Sequence, residues 1–292
     1  MPLLHIVDGK VVAKKKRTIL ARFAAFLCDP FVSTWRHRDL VDAILRRELA
    51  ERFKGSVAGW VWAITAPLLS LIVYTVAFAG GPVSLPGGGK SGSNFDYALF
   101  IFGGLIAFNL FTEMAYRAPS LLHEYAHFIK QTIFPAEMLP IISTLRATFY
   151  ATIGLALMLV AQFALTGTLH LTVLLLPLWF VPFVAFLIGL TWMLSAAGAF
   201  TRDTAYLMMT VAPLLMFATP VFFSTDTFSP TLKLIFYVNV LTGFIEVLRY
   251  LVVFGQLPNL WVCVWVVVCA LVTFYFGFWF FGKQRDSIAD VI

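Results

Sequence analysis

Long uncharged apolar runs alternate with short polar stretches along most of this chain, and their lengths decide what they form. A helix needs roughly 20 residues to cross about 30 Å of hydrocarbon. Six runs reach that length, at about 57–79, 97–117, 140–165, 171–200, 204–225 and 259–282. The third and fourth come from one stretch, Ala147 to Thr201, in which His170 is the only residue of the Asp, Glu, Lys, Arg or His types. That stretch is too long for one span, and Thr166, Gly167 and Thr168 mark the break by turn chemistry. The fifth run carries Pro213 and Pro220. Before the sixth, residues 229–254 are only half apolar and contain Lys233, Asn239, Glu246 and Arg249. A pair of short re-entrant helices suits them better than a span, because irregular backbone at membrane depth survives only against protein or a watery cavity.

Ahead of the first span, Val41, Leu45, Leu49 and Phe53 recur every four residues, which predicts a surface helix over 40–56. Glu48 and Arg52 stand at i,i+4 on it and are expected to pair. The predicted fold class is therefore an all-α integral membrane protein. It has six transmembrane helices, an N-terminal amphipathic interface helix, a basic segment 1–39 before that helix, and a tail at 283–292.

Composition agrees: 60% of residues are hydrophobic and only 12% charged, outside the usual range of soluble domains. The net charge of +6 is unevenly placed. Residues 1–56 hold twelve Lys or Arg against six acids, and the remainder holds nine of each. With six spans and both termini on one side, eighteen cations fall on that side and three (Lys90, Lys233, Arg249) on the other, so the termini are expected in the cytoplasm. The basic flank lacks the aromatic or folded reader of a nucleic-acid site. The stretch from Ile19 to Cys28 is short and interrupted by Arg22, unlike a cleavable signal. Cys28, Cys263 and Cys269 form no CxxC pair and suggest neither a disulfide framework nor a metal site.

Two motifs imitate chemistry. His123, Glu124, Tyr125, Ala126 and His127 spell HExxH, the zinc-protease signature, which makes a membrane metalloprotease the enzyme-class alternative. The metzincin extension needs Gly at 130 and His at 133, where Lys130 and Ile133 stand. Gly87, Gly88, Gly89, Lys90 and Ser91 end like a phosphate loop, but no strand precedes them, so a flexible hairpin is expected. No catalytic residue and no metal ligand is assigned. On the first span Trp60, Pro67, Tyr74 and Phe78 share a helical face, and Phe217, Phe222 and Phe223 mark the fifth. Such aromatic surfaces can stack against sugar C–H faces, which makes these residues candidates for lining a channel. Glu246 and Arg249, three apart, are expected to pair or to gate. Arg202 and Asp203, after the fourth span, carry the same two readings.

The order of these features resembles the membrane subunits of type 2 ABC exporters for polysaccharides, the Wzm and TagG type permeases for O-antigen, teichoic acid and capsule-like glycans. Arg46-Arg47-Glu48-Leu49, Arg52-Phe53-Lys54-Gly55-Ser56, Gly59, Trp62 and Pro67 carry the likeness at the first span. Lys130, Phe134-Pro135, Glu137 and Leu139-Pro140 carry it between the second and third. Arg202-Asp203, Thr219-Pro220, Asn239, Leu241-Thr242, Ile245-Glu246 and Arg249 complete it, from about residue 40 to the end. Asn239-Val240 stands where the family has Asn-Pro, so a softer bend is expected there.

The resemblance implies a homodimer in the bacterial inner membrane, with two ATP-binding cassette subunits that hold ATP and Mg; this chain binds no cofactor of its own. The cargo would be a glycan on a polyprenyl pyrophosphate lipid. Residues 119–136, with His123, Glu124, Tyr125, His127, Lys130 and Gln131, would couple to the ATPase. Arg46, Arg47, Arg52 and Lys54 on the interface helix would meet the lipid pyrophosphate, which suits the planar fork of Arg and the point charge of Lys. Residues 229–254 would form the outer gate. A drug or small-lipid exporter of the same class is the nearest alternative.

Overall fold

A computed structural model of the chain describes residues 4–7, 10–13, 19–77, 94–131, 135–225 and 228–292. Phe78, the hairpin Gly87 to Ser91, Phe134 and the side chain of Gln131 lie outside the described residues. The chain divides into two units, Met1–Asp42 and Ala43–Ile292.

The first unit departs from an all-α fold by one antiparallel pair, β1 (Leu4–Val7) and β2 (Lys10–Ala13), with Leu4 opposite Ala13 and Val7 opposite Lys10. Helix α1 (Ile19–Arg36) follows, and α2 (Arg38–Glu51) begins after the single residue His37.

The second unit holds α3 (Val61–Ala77), α4 (Asn94–Glu124), α5 (Ala126–Gln131) and α6 (Met138–Thr166). A 3₁₀ turn, Leu171–Leu175, leads into α7 (Leu176–Phe200), followed by α8 (Asp203–Ala218), α9 (Pro230–Val238), α10 (Val240–Val252) and α11 (Leu260–Val291). Among the described residues, four helices are long and apolar enough to cross a membrane: Asp96–Glu124, Met138–Thr166, Leu171–Phe200 and Leu260–Ile288. The pair α9 and α10, bent by 104°, makes a fifth if it counts as one span. At the first and fifth expected spans stand α3 and α8, apolar but only 17 and 16 residues long. Each is shortened by local chemistry. Gly55 and Gly59 adopt left-handed φ of 84° and 50° ahead of α3, delaying its start. The chain turns extended at Thr219, directly before Pro220, whose ring supplies no N–H to continue α8.

The break expected at Thr166 to Thr168 is where α6 ends. Gly167 takes φ 69° and its N–H donates to the Phe163 carbonyl at 2.9 Å, a left-handed helix stop. The last helix runs on through Val291, so the expected tail begins as a continuation of it.

Helix α4 is the axis of the second unit: 83% of its most apolar window is buried, against 22% in α6 and in α11. Without a hydrophobic drive between helices in lipid, close association depends on small residues that let backbones approach. Helix α7 uses them on two sides. A Cβ on Gly189 would lie 2.3 Å from the Thr273 carbonyl of α11, and one on Gly277 2.1 Å from the Gly189 carbonyl. A Cβ on Gly198 would lie 2.2 Å from the Pro119 carbonyl of α4. The opposing atoms are backbone and cannot swing aside. Gly189→Val and Gly198→Val are therefore expected to lower the melting temperature of the detergent-solubilised protein, by overpacking of about 1–3 kcal/mol each. Unchanged melting would contradict these backbone contacts.

Candidate functional site

At the end of the bundle where α4 finishes and α6 begins, a cluster of charges joins four elements. Glu48 of α2 is buried, 5% exposed, in a helix whose other charged residues point outward. Its carboxylate accepts two hydrogen bonds from Arg117 of α4, at 3.0 and 3.1 Å. It also accepts the Tyr125 hydroxyl from the junction of α4 and α5 at 2.5 Å, and Arg146 Nε of α6 lies 3.4 Å away. Glu113 bridges Arg52 at 2.9 Å and Arg146 at 3.1 Å, and Glu124 lies 3.5 Å from Arg117. Three carboxylates thus face three guanidinium groups, so the node is neutral as a whole. Burial, with the Glu48 carboxylate second, pushes the Tyr125 hydroxyl pKa well above its ordinary value, so the hydroxyl stays a donor.

This geometry replaces the expected Glu48–Arg52 pair. Across-helix partners capture both residues, while Arg47 and Glu51 form an i,i+4 pair on α2 at 3.3 Å. Arg47 also lies over the Phe128 ring of α5, 5.5 Å from its centre, while Arg52 lies 4.1 Å from the Tyr150 ring centre.

At the opposite end, Arg249 is 2% exposed on α10. Its Nε donates to the Phe100 carbonyl of α4 at 3.0 Å. Its two terminal nitrogens donate to the carbonyls of Pro220 and Val221, both at 2.5 Å, and of Phe223 at 3.4 Å. The guanidinium also stacks 3.5 Å from the Phe100 ring centre. Gly104 makes room for it: a Cβ there would lie 2.7 Å from Arg249 Nη2. The expected Glu246–Arg249 pair gives way to these contacts, and the Glu246 carboxylate instead accepts the hydroxyls of Thr225 and Tyr237. The physical reason is supply: three carbonyls beyond the end of α8 have no helical partner, and one guanidinium answers them with its fork of donors. The bend expected at Asn239-Val240 is present between α9 and α10. Asn239 turns the chain through 104°, its side chain accepting from Leu241 N–H and donating to Thr219 Oγ1 at 2.7 Å.

The remaining candidates are dispersed. Trp60 precedes α3 and packs with Phe53, Phe149 and Tyr150. Phe217 is exposed on α8, and Phe223 packs against Phe228 and Phe236. Phe222 is half-buried, its carbonyl accepting the Tyr97 hydroxyl at 2.9 Å. Tyr74 lines a cavity of about 330 Å³ between α3, α4 and α6, with Ser70, Asn109, Glu113 and Arg52 on its wall. The described aromatic candidates therefore go to separate environments. Arg46, Lys54, Lys130, Arg202 and Asp203 are exposed. His123 and His127 sit on either side of the break between α4 and α5; His123 Nε2 lies 3.4 Å from the Gly198 carbonyl, and the His127 ring packs on Phe128. HExxH is thus not carried on one helix. Among the described residues, no group of three His, Cys, Asp or Glu is placed to hold a metal ion.

Residues 39–253 match the family described as ABC-2 type transporter. The chain belongs to the ABC-2 type transporter family. It is similar to the O-antigen export system permease protein RfbA of Myxococcus xanthus, 27% identical over 195 residues that cover 66% of this chain and 71% of the relative. It is also similar to the RfbA permease of Klebsiella pneumoniae, 24% identical over 262 residues, 87% of this chain and 95% of the relative.

The chain is thus a multi-pass membrane permease of the ABC-2 type, and its two polar centres lie at opposite ends of one bundle. Sequence reasoning named Arg249, Glu246 and Arg52 but missed Glu48, Glu113, Arg117 and Arg146 as a set. The available signal was an acid on the apolar side of a predicted surface helix, with arginines near the ends of two spans. Removing the Glu48 charge leaves Arg117 and Arg146 short of a counter-ion in a buried place, a class of change that costs about 3–5 kcal/mol. Glu48→Gln is expected to destabilise this ABC-2 permease far more than Glu51→Gln, measured by melting of the purified protein. Equal effects would show that the node contributes no more than a surface pair.

Proposed function

We propose that this chain is the membrane permease of an ATP-driven exporter that moves a lipid-linked polysaccharide, an O-antigen-like glycan, from the cytoplasm to the outer face of the bacterial inner membrane. It works as a homodimer with two ATP-binding cassette subunits, and this chain performs no bond chemistry. On this reading α3 and α8 complete six spans, the end bearing Glu48 faces the cytoplasm with both termini, and α9 and α10 form the outer gate. The cation asymmetry supports that orientation. The O-antigen export named for the RfbA relatives supports a glycan of the O-antigen type over teichoic acid, capsule or a small lipid.

One observation carries the coupling half of the proposal. The segment expected to meet the ATPase, around His123 to Gln131, touches the surface helix α2 through Tyr125 to Glu48 and Phe128 to Arg47. A push on α5 therefore reaches the helix beside the lateral entrance through a buried, charge-neutral contact and needs no long relay. Closure of the partner favours an open path only if α5 differs in its contacts between the two states. Arg46, Arg47, Arg52 and Lys54 are the cations proposed to meet the lipid pyrophosphate, with Tyr74 and the cavity between α3, α4 and α6 on the path.

The test is reconstitution with the ATPase chain. Lys130→Glu, exposed and outside the charged node, is expected to keep membrane insertion while weakening ATPase association and ATP-dependent export. Full export by this variant would remove α5 as the coupling segment. Wild-type vesicles that move no lipid-linked glycan with ATP would remove the transport reading itself.

A further inference from the structure

Helix α1 lies ahead of the family match, which begins at residue 39, and none of the roles above uses it. Cys28, Phe31, Val32 and Trp35 stand at i, i+3, i+4 and i+7 and so occupy one helical face. That face is turned outward: Phe31 is 62%, Val32 52% and Trp35 72% exposed, and Cys28 is exposed as well. Pro30, on the opposite face, is buried. A continuous stripe of large apolar side chains on the outside of a unit marks a surface that meets something.

Charge says what it meets. Residues 1–38 carry eight Lys or Arg against two Asp, an excess of six that equals the net charge of the whole chain. The cations border the stripe itself. Arg36 closes α1, and the Arg38 guanidinium lies 5.0 Å from the centre of the Trp35 ring. Four consecutive cations, Lys14 to Arg17, precede the helix in sequence. The cores of protein interfaces are depleted of charge, whereas an apolar face edged with Arg and Lys and bearing Trp and Phe is the arrangement of a helix lying in a lipid interface. Since this chain is already held in a bilayer by its spans, α1 meets lipid at high effective concentration, and two modest signals suffice for stable contact.

We propose that α1 is an interfacial helix that places Cys28, Phe31, Val32 and Trp35 at the acyl boundary of the adjoining leaflet and sets Arg36 and Arg38 among anionic headgroups. It anchors the segment that leads into α2. The assignment is independent of what the permease carries and of which side of the membrane its termini occupy.

Cys28 supplies a probe within the stripe. In a full-length chain with Cys263→Ser and Cys269→Ser, a bimane label on Cys28 is placed in nanodiscs of phosphatidylethanolamine and phosphatidylglycerol. Nitroxide-labelled lipids are expected to quench it and aqueous iodide to be largely ineffective. A label at the helix edge, in Asp29→Cys with Cys28→Ser, is expected to be quenched more by iodide. Iodide quenching of Cys28 without lipid quenching would overturn the proposal. Iodide protection without lipid quenching would also overturn it and would assign the face to a protein. The unmodified chain gives a second measurement that needs no substitution: trypsin cleavage after Arg36 or Arg38 is expected to be slower in these discs than in phosphatidylcholine discs. Equal rates would overturn the headgroup contact.

Discussion

Every polar backbone group held within hydrocarbon must find a partner inside the protein, and this fold is organised around the places where the helices fail to provide one. The largest failure follows α8, where Pro220 ends the helical ladder and leaves successive carbonyls turned inward. Arg249 answers them and also holds the Phe100 carbonyl of α4. The end of α10 is closed in the same way: Gln162 of α6 donates to the Val252 carbonyl at 2.8 Å, and Thr172 donates to that of Leu251 at 2.6 Å. Trp179 of α7 donates to the Phe244 carbonyl at 2.9 Å. The half-apolar segment before the last helix thus stays within the bundle because side chains from α6, α7 and the turn before α7 satisfy it.

The other end of the bundle solves a different problem, the placement of charges close to a membrane surface. Glu48 and Glu113 recruit arginines from α4, α6 and the residue that follows α2, so charges that would each be costly to bury alone become a neutral, mutually hydrogen-bonded set. Some of the basic flank is thereby committed to structure: Arg52 and Arg47 already hold carboxylates of Glu113 and Glu51. Any anionic headgroup arriving at Arg47 or Arg52 competes with those carboxylates. The same set joins α2 to the turn at Tyr125.

Helix positions were legible in the sequence because they depend on periodicity and local breakers. The division at Gly167, the helix expected from residue 40 and found from Arg38, and the bent pair around Asn239 all follow from residues acting within a few positions of themselves. Side-chain partners were less legible. A pair at i,i+4 or i,i+3 is only the nearest available match, and both expected pairs, Glu48 with Arg52 and Glu246 with Arg249, yielded to side chains of other segments or to backbone carbonyls. The aromatic residues showed the same limit: their abundance was plain, but Trp60, Phe217 and Phe223 went to three different environments.

By itself, the sequence determined that this chain lives in a bilayer, roughly where its apolar helices lie, and how unevenly its charge is distributed, since hydropathy, proline, left-handed glycine and charge act locally or by simple summation. The tertiary structure alone decided which charges are buried together, which carbonyls Arg249 satisfies, and which glycines let α7 touch α4 and α11. Those outcomes depend on distances between segments far apart in the chain, and in a low-dielectric interior such distances set whether a charge is a cost or a bond.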